Sequence, residues 1–108
     1  MCAACASRGV TLQALVSPER TLELRLQNGR TAPVGYNLCA SGLERRSGQG
    51  WQPVASQRIC TMELRNLAPR EEARYSLALE GLPPGEYRAT TRVEGLPAAV
   101  TTEPFHIR

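Results

Sequence analysis

The sequence predicts an all-β fold: a two-sheet antiparallel sandwich of about seven strands with one extra hairpin. Three observations predict it. Apolar and polar residues alternate along most of the chain, at the period of two that a half-buried strand requires. Proline, glycine and Asn-Gly punctuate these runs at roughly 8–15-residue intervals. Helical periodicity is nearly absent. At 108 residues there is room for one domain and one core.

The first run, 10–16, alternates loosely through Val10, Leu12, Ala14 and Val16 and stops at Ser17-Pro18. The second, 21–28, is the clearest: Leu22, Leu24 and Leu26 share one face, Glu23, Arg25 and Gln27 the other, and Asn28-Gly29 closes it with turn chemistry. Run 33–39 alternates through Val34, Tyr36 and Leu38. The extra hairpin lies between Cys39 and Cys60, where "LERR" and "WQPV" flank "SGQG", whose glycines permit a tight turn. Run 60–67 predicts Cys60, Met62 and Leu64 facing inward, and run 72–79 predicts the same for Ala73, Tyr75, Leu77 and Leu79. Tyr87, Ala89, Thr91 and Val93 then form the inner face of a strand. The final run changes phase between Thr102 and Phe105, and a bulge or bend at Glu103-Pro104 would repair it.

"LPPGEY", ahead of the strand at 87, marks a corner. Pro83 and Pro84 cannot sit in a central strand, and Gly85 is expected to supply the change of direction. Tyr87 is expected to turn its ring into the core and bond its hydroxyl to upstream backbone. "GYNLCASGLERRSGQGWQPV", "CTMELRNLAPREEARYSL" and "LPPGEYRATTRV" together resemble small bacterial immunoglobulin-like domains of lipoproteins and other envelope or secreted proteins. The resemblance runs from about residue 10 to the C-terminus. It implies an immunoglobulin-like sandwich over 10–108, with 1–9 as a signal-peptide remnant or disordered tether. The family usually has Pro-Gly where this chain has Pro69-Arg70. A fainter similarity is to a bacterial intracellular proteinase-inhibitor family of related architecture. The inter-sheet disulfide of antibody domains is absent, since Ala89 stands where its second cysteine would be.

The four cysteines form two groups. Cys39 and Cys60 bracket the hairpin. A bridge would close a loop of about 22 residues and contribute roughly 3 kcal/mol; the alternative is two buried thiols. Parity places Cys39 opposite Leu38 but Cys60 with Met62, so a bridge requires a bend or strand end near one of them. Cys2 and Cys5 have C-x-x-C spacing, yet no helix follows to lower a thiol pKa, and the lone His106 lies near the far end from any zinc set. "AAC" resembles a lipobox tail, which makes Cys5 the candidate lipid-attachment residue.

Charge chemistry is narrow. All 13 basic side chains are Arg and all 10 acidic ones Glu, and there is one His. Without Asp, neither a Ser-His-Asp triad nor an ordinary calcium loop can be assembled. The set of Arg45, Arg46, Trp51 and Arg58 is a candidate contact surface, because Trp and Arg are enriched at binding hot spots; the alternative is that Trp51 folds back over the core. A net charge of +3 with 5% aromatics does not argue for nucleic acid. The expectation is a non-enzymatic, cofactor-free, monomeric module. It would be exported to the periplasm, envelope or exterior, and would contact a protein or cell surface. The alternative is a proteinase inhibitor of the same fold, presenting a rigid loop.

Overall fold

The structure is a computed structural model and describes residues 9–55 and 58–108. Its first layer holds β1 (Val10–Val16), β2 (Thr21–Asn28) and β7 (Glu72–Ala78), in the order β1-β2-β7. The second holds β4 (Gly42–Ser47), β5 (Gly50–Val54) and β8 (Gly85–Thr91), with β10 (Val100–Thr101) and β11 (Phe105–Ile107) along the far edge of β8. A small third sheet combines β3 (Val34–Tyr36), β6 (Arg65–Leu67) and β9 (Val93–Glu94), in the order β6-β3-β9. All pairings are antiparallel. The chain is an all-β antiparallel sandwich.

The core follows from alternation. Leu22, Leu24 and Leu26 are fully buried on the inner face of β2, the central strand of its layer. Val10, Leu12, Leu77 and Leu79 flank them, and Leu43, Tyr87, Ala89, Val100 and Ile107 meet them from the other layer. Each fully buried leucine contributes on the order of 1.5–3 kcal/mol. Three long runs are broken without losing their place. Val34 to Ser47 is interrupted by a 3-10 turn at Leu38–Ala40. Arg92 separates β8 from β9. The last run contains the bulge that its phase change demands: Thr101 pairs with Thr90 but Phe105 with Tyr87, so the later strand carries one extra residue. The Thr102 hydroxyl fills the gap by accepting the Ala89 N–H at 3.0 Å.

Run 60–67 differs from expectation. Only Arg65–Leu67 is strand, and Met62 is 95% exposed and Leu64 53%. The reason is a missing ladder partner: residues 61–66 are all exposed whatever their parity, and pairing begins only at Arg65, so Leu67, seated against Val34, is the first residue of the run to be buried. Asn28 also does more than end a strand. It is buried; its amide donates to the carbonyls of Ala32 (2.9 Å) and Leu67 (3.0 Å), and its side-chain oxygen accepts from the Arg30 N–H (2.9 Å). Its main-chain carbonyl takes the Arg70 N–H at 2.6 Å. Arg70 itself has φ 67°, the left-handed conformation that explains why glycine suits this position.

Two outcomes are expected in urea melts. Asn28→Ala should destabilise by about 2–3 kcal/mol, because it leaves buried backbone groups without partners. Arg70→Gly should be neutral or stabilise by up to about 1 kcal/mol, because it relieves the left-handed cost.

Candidate functional site

The corner at 82–85 is held by side chains. Proline supplies no N–H, so Pro83 and Pro84 cannot continue a ladder. Their carbonyls and that of Leu82 each take a donor from elsewhere. Arg20 Nη2 reaches Leu82 O (3.3 Å), the Tyr87 hydroxyl donates to Pro83 O (2.6 Å), and Arg45 Nη2 donates to Pro84 O (2.9 Å). Tyr87 is fully buried and stacks on Phe105, with ring centroids 6.4 Å apart. Gly85 has a different reason from the one expected. The left-handed residue here is Gly81, at φ +81°. A Cβ on Gly85 would lie 2.9 Å from Arg45 Nε, so this glycine makes room for the arginine.

The four candidate contact residues are not brought together. Arg45 belongs to the corner. Arg58 donates from Nε to the Cys39 carbonyl (3.2 Å) and from Nη2 to that of Ser41. Only Arg46 and Trp51 meet, as cross-strand partners in the β4–β5 hairpin. Trp51 is half-buried on the outer face of its sheet, with the guanidiniums of Arg46 (5.5 Å) and Arg88 (4.4 Å) over its ring, and does not fold over the core. Arg46 reaches Glu86 (3.7 Å), Glu86 lies opposite His106, and Arg88 pairs with Glu44 (2.6 Å). This face is a row of matched charges around an aromatic ring, worth a few tenths to one kcal/mol per pair. The outer face of the first layer is matched in the same way. Arg74, then Gln27, hold the Glu72 carboxyl below its ordinary value by hydrogen bonding. Among the described residues no three His, Cys or Glu side chains gather as metal ligands.

Leu15 and Val16 at the end of β1 are exposed, but the most exposed apolar side chains lie on the strap from Ile59 to Leu64. Ile59 is 97% exposed, in line with Met62 and Leu64. No backbone-to-backbone hydrogen bond joins 59–64 to another segment among the described residues. The strap is nevertheless fixed at both ends. Cys60 is bridged to Cys39 with Cα atoms 5.8 Å apart, and Asn37 Nδ2 donates to the Thr61 carbonyl at 2.7 Å. On its far side Arg65 pairs with Tyr36. The 3-10 turn is what lets Cys39 point toward the strap while Leu38 stays buried. Sequence reasoning missed the strap because Met62 and Leu64 alternate as a strand would, yet no ladder reaches the chain before Arg65. Cys2 and Cys5, the candidate lipid-attachment residue, lie outside the described residues.

Tyr87→Phe should cost about 1 kcal/mol, one hydrogen bond's net worth, with its ring packing unchanged. An unaltered chemical-melt midpoint would show the hydroxyl bond to be without value.

No family model matches the chain, and no curated protein sequence matches it. Among solved structures it is similar to the archaellum periplasmic stator protein FlaG from Sulfolobus acidocaldarius, with a TM-score of 0.53 at 17% identity. The likeness covers 91% of this chain and 99% of that one, and at such identity it concerns the fold.

Proposed function

We propose that this protein is a non-enzymatic immunoglobulin-like module of an exported, envelope-associated or secreted protein, acting by contact with another protein. The observation that carries this reading is the strap: a Cys39–Cys60 bridge holding exposed apolar side chains off the sandwich. Disulfides persist in oxidising compartments, which supports export. Exposed Ile59, Met62 and Leu64, grouped on one fixed segment, are what a protein-contact surface needs. Absence of Asp from the chain and the matched charges of the outer faces support binding over catalysis. The similar fold of a periplasmic stator protein is in keeping with an envelope setting. Cys5 remains the residue proposed for lipid attachment.

The test is location together with thiol state. Fractionation of the native host should place the chain in the envelope or medium. Peptide mapping after alkylation without reductant should find Cys39 and Cys60 unreactive. A cytosolic chain with both thiols free would overturn the reading.

A further inference from the structure

We propose that two copies of this chain join edge to edge through β7, antiparallel about a two-fold axis at Tyr75. A sheet edge presents main-chain donors and acceptors without partners, which proteins either blunt or use. The edges of this fold are unequal. β5 contains Pro53, which has no N–H to offer. On β1 the residues whose main chain faces away from β2 include Val10 and Leu12, and both are buried. β6, β9, β10 and β11 are only two or three residues long. β7 has seven residues and no proline. Its two ends show which way its groups point. Asn28 N–H donates to the Glu71 carbonyl (3.1 Å) and Leu79 N–H to the Arg20 carbonyl (2.9 Å). Both bonds lie in register with the β2–β7 pairing, so the odd-numbered residues turn their main chain toward β2. Glu72, Arg74, Ser76 and Ala78 turn theirs away, and all four are exposed. Among the described residues no second strand pairs with this side of β7.

A second copy supplies what this row lacks. Centred on Tyr75, an antiparallel pairing sets Glu72 opposite the second copy's Ala78 and Arg74 opposite its Ser76, and the reverse by symmetry. Every outward-turned residue of both strands then has a partner, and no like charges face each other. Centring on Arg74 would oppose two arginines. Centring on Ala73 would leave Ser76 and Ala78 facing residues outside β7. At the axis the two Tyr75 side chains become neighbours on the inner side of the joined sheet, since Tyr75 packs toward the core. On that side Tyr75 borders a cleft of about 280 Å³ with Tyr36, Thr61, Glu63 and Arg65, and the second copy's ring enters there. Seven residues of edge bury little surface, so the dimer is weak and forms with rising concentration. It departs from the monomer expected from the sequence, and it does not depend on what the apolar side chains of the strap contact.

The test is mass against concentration, with amide exchange to place the contact. Sedimentation equilibrium of the full chain from about 1 µM to about 1 mM should show the mass rise from one chain toward two. At the upper end, exchange at Glu72, Arg74, Ser76 and Ala78 should slow by about tenfold relative to dilute protein. Ala73, Tyr75 and Leu77, already bonded to β2, should not change. Ser76→Pro removes a donor that faces away from β2 and leaves the β2 ladder whole, so it should melt close to the wild type. Its dimerisation should weaken at least about tenfold. If that variant does not fold, the exchange pattern of the wild-type chain decides alone. The proposal is overturned if the wild type stays a single chain throughout, or if it dimerises without slowed exchange along β7. A folded Ser76→Pro that dimerises as well as the wild type overturns it equally. An exported, bridged chain that never dimerises would sink this proposal alone and leave the strap's contact with another protein standing.

Discussion

The second layer depends on one short interruption, the 3-10 turn at Leu38–Ala40. A continuous strand from Val34 to Ser47 would put Leu38 and Cys39 on opposite faces in a fixed ladder, with Cys39 aimed at solvent beside its neighbours. The turn breaks that bond between position and direction. Leu38 stays in the core, and Cys39 is freed to meet a segment with no strand partner of its own. Before the turn the chain pairs with β6 and β9; after it, with β5 and β8. The same residues thus build the third sheet, seat the hairpin and anchor the strap.

Much of this was legible in the sequence. Leu22, Leu24 and Leu26 announce a central strand because nothing but a buried face explains three leucines at a period of two. The hairpin turn was readable from Gly48, whose φ of +62° side chains resist. The final run showed its bulge as a phase error between Thr102 and Phe105. What was illegible depended on contacts distant in the chain. Alternation in 60–64 reads as a strand, and the sequence does not say that no partner strand reaches it before Arg65. Asn28 reads as a turn residue, yet it is buried because two carbonyls, one from β6, converge on its amide. Gly85 reads as a bend, but the reason for it is a guanidinium arriving from β4.

The arginines explain themselves in a way that composition could not. Arg20, Arg45 and Arg58 all direct their guanidiniums at main-chain carbonyls in irregular segments, where ladders cannot satisfy them. Arg20 and Arg58 each serve two carbonyls, which a planar fork of donors does better than a single ammonium. Several basic side chains that look available on paper are therefore fixed parts of the frame. Others are matched by Glu, as in Arg25 with Glu23 and Arg74 with Glu72.

The placement of the lone tryptophan has an optical corollary. Trp51 sits outside the core, stacked by Arg46 and Arg88 across three strands. Its emission therefore senses the hairpin's grip on β8, with two cations modulating the indole, and is blind to the leucine interior. Tyrosine, through buried Tyr87, is the chromophore that senses that interior. Any parting of the two signals would reveal the hairpin edge peeling away before the layers separate.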